Sequence, residues 1–196
     1  MNTAQPIRTR HDLEKLKEYY KEKKPNSRNL LLIIMGLNTA LRISDILALK
    51  WDMVYDFEGE KYKSYITITE KKTGKGAQIY INSSAKDALS NYYEELKSAG
   101  KFITPDDYIF SHTNKNVPIS RVQAFRIIKS AAEECSLSGV ISCHSLRKTF
   151  GYHAWKQGAP LAVLVNIYNH SSYNITKRYL GIEQDDKDSI YKSIQL

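Results

Sequence analysis

The sequence predicts a mainly helical α+β domain with one small antiparallel sheet, and three observations predict it. Apolar residues recur at helical spacing behind polar capping residues over most of the chain. A single stretch, Tyr62–Thr69 (YKSYITIT), alternates as a half-buried strand does, and the turn-forming KTGKG at Lys72–Gly76 leads into a returning strand at Gln78–Ile81. The length of 196 residues suits one sizeable core, with no linker, repeat or low-complexity run to divide it.

Taken in order, Thr9 and Asp12 form a capping-box variant that opens an amphipathic helix through Leu13, Leu16 and Tyr20, ending by Pro25. Ser27 is the expected cap of the next helix, whose body LLLIIMGL is apolar on every side and therefore central to the core. After a break at Asn38–Leu41, Ser44 is expected to cap a helix over Asp45–Lys50, which leaves Arg42 in the turn at its mouth. The hairpin follows, then a helix over Ser84–Gly100 and a short extended piece at Tyr108–Phe110. Ser120 caps a helix containing Val122, Phe125, Ile128 and Ala132, with Arg121, Arg126 and Lys129 on its outer side. A helix at Leu146–Gln157 stops at Gly158, and Pro160 starts another that runs to Tyr168. In the tail Gly181–Leu196, the apolar Ile182, Ile190, Tyr191, Ile194 and Leu196 sit among charges, and Asp188 or Ser189 is expected to cap a short helix.

The net charge is +8, from 29 Lys+Arg against 21 Asp+Glu, and the pI is about 9.3. Excess positive charge favours a polyanionic partner and speeds encounter with nucleic acid. Cys135 and Cys143, eight apart and without a CxxC or paired histidines, point away from a disulfide or a metal site. The first residues lack the apolar core of a signal peptide, and Leu30–Leu37 is too short to span a bilayer, so a cytoplasmic protein without membrane contact is expected.

The chemistry concentrates between Cys143 and Leu180. His144 and Arg147 lie one helical turn apart, His170 follows, and Tyr179 stands nine positions after that histidine. A phosphodiester is an anion, so a nucleophile approaching it needs fixed positive charge to receive the developing oxygen charge. Arginine supplies that charge as a planar fork that bonds two oxygens. A tyrosine hydroxyl, with an ordinary pKa of about 10, needs a base or a strong positive field to attack. His144 or His170 could be the base, while a cap or core histidine is the bland alternative for His144. Arg42, beside helix amides, could share an anion with them; it could equally be a surface arginine or a partner for Asp45.

These residues resemble the tyrosine recombinase (phage integrase) family. The resemblance rests on HSLR at His144–Arg147, HSSYNITKRY at His170–Tyr179 and TALRISDILAL at Thr39–Leu49, in the family's order, and covers the chain from about Thr9 to Leu180. It implies that family's catalytic-domain fold and a site-specific recombinase acting on double-stranded DNA by two transesterifications. Tyr179 would attack the scissile phosphate, become 3′-phosphotyrosyl and release a 5′ hydroxyl. Arg42 and Arg147 would clamp the non-bridging oxygens, His170 would donate a further hydrogen bond, and His144 would manage the tyrosine proton. Asp45 occupies the place of an acidic residue that buttresses the site. Lys72 would protonate the leaving oxygen, with Lys71 and Lys75 as rivals because a one-residue slip reverses which side chain points inward. The bond energy is kept in the phosphotyrosine, so no cofactor or metal is implied. The helix carrying Arg121, Arg126 and Lys129 is the candidate for a DNA major groove, against the alternative of a solubilising face. Self-association on DNA is implied as a tetrameric synapse, with residues 181–196 either exchanged between subunits or folded back on their own core.

Two departures stand out. The family's usual Leu-Gly-His becomes Tyr168-Asn169-His170, which is expected to cost some positioning of the site, although asparagine tolerates left-handed backbone best after glycine. The family's usual N-terminal core-binding domain is expected to be absent, so that the chain is one catalytic domain. It is either a piece of a longer integrase or a small member similar to the recombinases that invert fimbrial promoter segments. A catalytically silent DNA-binding regulator and a type IB topoisomerase are the rival readings. The regulator would have no reason to keep all six polar positions together, and the topoisomerase would relax DNA without exchanging strands.

Overall fold

The computed structural model describes residues 4–112 and 115–194; the expected apolar Leu196 lies outside them. Helix α1 spans Arg10–Glu18, and Thr9 caps it by accepting the Asp12 amide at 3.0 Å while its hydroxyl donates to the Asp12 carboxylate at 2.7 Å. One π-helical turn, Tyr19–Lys23, ends the helix before Pro25. Helix α2 spans Ser27–Asn38, and its Leu31, Leu32, Ile33, Ile34 and Met35 are all buried. Each such side chain contributes on the order of 1.5–3 kcal/mol when withdrawn from water. Its cap is Asn26 rather than Ser27: Asn26 is extended and its side chain reaches the Asn29 amide at 2.9 Å, whereas Ser27 already lies in the first turn.

Helix α3 is shorter than expected, Ile43–Ile46, and Arg42 rather than Ser44 holds the cap position. Beyond it turn bonds carry the chain to Leu49, whose carbonyl accepts the Ile109 amide at 3.0 Å; Lys50 bridges Tyr108, and one 3-10 turn follows at Trp51–Met53. The expected single sheet is three two-stranded antiparallel pairs. Strands β1 (Tyr55–Asp56) and β2 (Lys61–Tyr62) pair with each other, and the chain breaks at Lys63 and Ser64 before β3 (Tyr65–Thr69) pairs with β4 (Gly76–Tyr80). Helix α4, Ser83–Ser98, packs on α2 and is capped by Asn82. Strands β5 (Ser111–His112) and β6 (Lys115–Pro118) form the third pair, just after the expected extended piece.

Helix α5, Arg121–Glu134, is capped by Ser120 as expected, but its faces differ. Val122 and Phe125 are exposed, at 59% and 40%, and the buried side is Ala124, Ile127, Ile128, Ala131 and Ala132. Helix α6 begins at Cys143, three residues earlier than expected, and runs to Lys156. It crosses α2 so closely that a Cβ on Gly36 would stand 2.6 Å from Leu146 Cδ1. Helices α7 (Leu161–Tyr168) and α8 (Tyr173–Leu180) complete the site region, with Pro160 at the cap rather than the first turn of α7. Helix α9, Glu183–Ser193, contains Asp188 and Ser189 instead of starting at them. A large apolar cluster gathers α1 to α6, while Ala40, Tyr152, Leu164, Tyr168, Leu180 and Ile182 form a second, smaller one beneath α8.

Candidate active site

A cleft of about 720 Å³ brings together Arg42, Lys71, Lys72, Arg121, His144 and Arg147. Each arrives by a separate local cause. Arg42 leaves the extended residue between α2 and α3. Lys71 and Lys72 come from the β3–β4 turn, which closes on itself as the Gly74 amide donates to the Glu70 carbonyl, with Gly74 in left-handed geometry at φ +68°. Asp45, 3% exposed, accepts the Lys71 amide at 3.0 Å and so pins that turn to α3. Lys75 lies past the turn and does not line the cleft. Arg121 opens α5 toward it, Arg126 is exposed farther along, and Lys129 pairs with Glu133 at 3.4 Å.

Arg147 is 4% exposed, on the first turns of α6. Its guanidinium lies 4.8 Å over the Tyr168 ring, its Nη2 is 3.5 Å from the Tyr168 carbonyl, and its side chain is in hydrogen-bonding contact with Tyr179. Tyr168 in turn donates its hydroxyl to the Arg147 carbonyl at 2.7 Å, so ring and backbone clamp the arginine from one side. Arg42 is neither a surface residue nor the partner of Asp45: its Nη1 lies 2.9 Å from Glu70 Oε2. Glu70, 3% exposed, also accepts Thr73 Oγ1 at 2.7 Å and Asn169 Nδ2 at 2.8 Å. Burial alone would raise the Glu70 pKa, but the Thr73 hydroxyl, Arg42 and Asn169 more than offset it and hold the carboxyl below its usual range.

His170 and Tyr179 adjoin the arginines on the α7–α8 side. Asn169 turns the chain in left-handed geometry, φ 53° and ψ 41°, as the departure from glycine requires. Its side chain is not idle, since the bond to Glu70 ties the α7 terminus to the acid that holds Arg42. His170 Nδ1 is 3.0 Å from Thr176 Oγ1, and its ring stacks on Tyr168 at 5.4 Å. The Tyr179 ring stands 5.1 Å from His170 and 5.3 Å from Tyr168, with Lys148 Nζ 5.0 Å over its face. Burial raises the Tyr179 pKa, and Arg147 followed by Arg42 pull it back. His144 and His170 are both pushed down, first by burial and next by Arg147, so each is neutral at neutral pH. The arrangement offers fixed cations, two neutral imidazoles and a phenol at one place, as attack on a phosphodiester requires.

Glu70, Tyr168, Thr176 and Lys148 escaped the sequence reading. Glu70 directly follows β3 and Tyr168 ends α7, and only the fold places either beside an arginine. His153, on the same helix as Arg147, bonds the Ile7 carbonyl at 3.0 Å.

Comparison with known proteins places the chain in a family. The chain is 40% identical over 192 residues to the Bacillus subtilis (strain 168) protein named probable integrase/recombinase YoeC, covering 98% of this chain and 97% of the relative. It is 28% identical over 185 residues to a tyrosine recombinase of Pseudothermotoga lettingae, covering 94% of this chain and 59% of the relative. Its fold matches the XerH site-specific recombinase, solved bound to a palindromic difH substrate in a post-cleavage complex, with a TM-score of 0.71 at 19% identity, over 91% of this chain and 49% of that one. The chain therefore spans nearly all of the first relative but only 59% and 49% of the other two. A family model described as the phage integrase family matches residues 8–185, and with that match over most of its length the chain belongs to the phage integrase family of tyrosine recombinases.

Proposed function

We propose that this chain cuts and rejoins double-stranded DNA at a specific site, through a covalent bond between Tyr179 and the 3′ phosphate. The observation that carries the reading is a buried Arg147 that lines the cationic cleft and whose side chain contacts the half-buried Tyr179. A phosphate in that cleft would receive charge-assisted hydrogen bonds from the guanidinium fork beside the tyrosine oxygen. In the proposed reaction Arg42 and Arg147 hold the non-bridging oxygens and His170, steadied by Thr176, donates to one of them. His144 takes the tyrosine proton and Lys72 gives one to the 5′ oxygen. The second transesterification reverses these roles with a new 5′ hydroxyl. Arg147 and Arg42 draw the phenol's pKa down against burial, and exclusion of water strengthens that field.

Residues 9–180 serve as the catalytic domain in this reading. The cationic cleft, the +8 net charge and the exposed Arg121 and Arg126 support DNA as the partner and α5 as a groove-facing helix. Exposed Ile190, Tyr191 and Ile194 on the tail support docking of its far end on a neighbouring subunit, in a tetrameric synapse. Among the described residues no helix is long and apolar enough to cross a membrane, and the proposed compartment is the cytoplasm, where the substrate lies.

Incubation of the protein with a nicked suicide DNA substrate, followed by denaturation and peptide mass mapping, tests the reading. A DNA adduct on Tyr179 without added magnesium is the expected result. An adduct on another residue would move the nucleophile, and DNA binding with no adduct would favour the silent regulator. Relaxation of supercoiled plasmid with no recombinant product would favour the topoisomerase.

A further inference from the structure

The segment ahead of α1 is tied to both sides of Tyr179. Residues 4–9 run along α6: the Gln5 amide donates to the Val140 carbonyl at 3.0 Å, and the Ile7 amide to Thr149 Oγ1 at 2.8 Å. At its start, Lys148 Nζ donates to the Ala4 carbonyl at 2.8 Å and the same ammonium lies 5.0 Å over the Tyr179 ring. At its end, Arg8 Nη1 bonds both carboxylate oxygens of Asp185, at 2.9 and 2.8 Å, and Nη2 donates to the Gly181 carbonyl at 2.8 Å. The Arg8 guanidinium is itself seated 5.0 Å over the Tyr152 ring. Gly181 is the residue that ends α8, in left-handed geometry two positions after Tyr179.

We propose that residues 4–9 form a strap that sets the position of Tyr179, with Arg8 and Lys148 as its positioning residues. The proposal rests on the reading of Tyr179 as the nucleophile. Helix α8 has only eight residues, two of them buried, so its own hydrogen bonds do little to hold it. A forked arginine bound to a carboxylate and a carbonyl fixes distance and angle together. The Arg8 and Asp185 side chains are 41% and 28% exposed, so the pair adds little to global stability and its effect is on geometry. A nucleophile displaced by about 1 Å can lose on the order of 100-fold in rate, which makes geometry sufficient.

The test is the single-turnover rate of adduct formation at saturating DNA, measured beside DNA affinity, on the full chain. Arg8→Ala and Asp185→Ala should each slow the adduct about 10-fold, with affinity changed by less than about threefold, as expected for misplacement rather than lost binding. Asp185→Ala is decisive, because removing an acid strengthens attraction to DNA, so slower cleavage would not come from weaker binding. The double variant should be no slower than Arg8→Ala, whose loss already includes the bonds to both Asp185 and the Gly181 carbonyl. Lys148→Met, which keeps the stem and removes the ammonium, should also slow the adduct. Unchanged rates in both single variants, or losses that multiply in the double, overturn the strap. So does a loss that disappears on cooling in step with recovered thermal stability, which would mark a merely structural role. An adduct that maps away from Tyr179 in the unmodified protein overturns the nucleophile reading instead, whereas unchanged rates with the adduct on Tyr179 overturn the strap alone.

Discussion

The arginines and the tyrosine stand on cores of different size. Arg42 follows α2, whose Leu31–Met35 segment lies at the centre of the structure, and its partner Glu70 directly follows β3, whose Ile66 and Ile68 join the large cluster. Tyr179 packs with Ala40, Tyr152, Leu164, Tyr168, Leu180 and Ile182, a small cluster under short helices. Local stability follows the apolar contacts that opening would expose. The arginines proposed as the phosphate clamp are therefore built into the larger cluster, and Tyr179, the proposed nucleophile, rides on the half that is easier to displace. Arg147 bridges the two: Leu146 beside it belongs to the large cluster, and its own guanidinium rests on Tyr168 of the small one. A site divided in this way can hold its phosphate-binding charge in place while the nucleophile's position responds to what binds around it.

The largest effect should come from Tyr179→Phe, which keeps the ring in the small cluster and removes the only oxygen placed to react. Adduct formation on a suicide substrate should be abolished while DNA binding persists; the nearby Tyr168 is fully buried with its hydroxyl bonded to Arg147 and should not substitute. Arg147→Lys comes next. It keeps the charge but loses the fork, and cleavage should fall by about 10- to 100-fold, comparable to loss of one transition-state donor. DNA affinity should fall far less, since many phosphate contacts share it, and equal losses in the two measurements would contradict the assigned role.

Two glycines sharpen the comparison of the halves. A Cβ on Gly151 would meet the Tyr168 hydroxyl at 2.5 Å and Leu180 Cδ2 at 2.6 Å, and one on Gly36 would meet Leu146 Cδ1 at 2.6 Å. Both alanine variants should be destabilised by about 1–3 kcal/mol, as overpacked cores are. Only Gly151→Ala presses on the residues around Tyr179, so it should slow cleavage several-fold more than Gly36→Ala at matched thermal stability. Equal slowing would mean that the two clusters behave as one.

The smallest effect concerns pH. The His144 and His170 pKa values are lowered by burial and by Arg147, so the folded protein holds fewer protons on them than the unfolded chain does. Stability on their account therefore falls as pH drops through the ordinary histidine value of about 6.5. Cleavage should persist below that value and then decline as the imidazoles protonate. In His144→Gln the rate should be lower and its acid limb flatter; an unchanged acid limb would remove His144 as the proton acceptor.

The sequence by itself determined the helical class, the hairpin and the left-handed turn at Asn169, because those features are local: periodicity, caps and turn residues are written in neighbouring residues, whereas Arg42, His144, Arg147, His170 and Tyr179 were singled out by the family resemblance of their motifs. Local propensity also explains the near misses. Ser27, Ser44, Asp188 and Ser189 are all competent caps, and which residue starts a helix was settled by where the chain had to go next. The exposed Val122 and Phe125 reversed an apolar reading for the same reason, since the face of α5 that becomes core depends on what packs beneath it. What only the tertiary structure decided are the ties between distant segments: Glu70 to Arg42 and Asn169, Asp45 to the Lys71 amide, Thr176 to His170, and Arg8 across to Asp185. A buried charge is stable only with partners in place, and partners separated by up to 177 residues in sequence leave no local pattern to read.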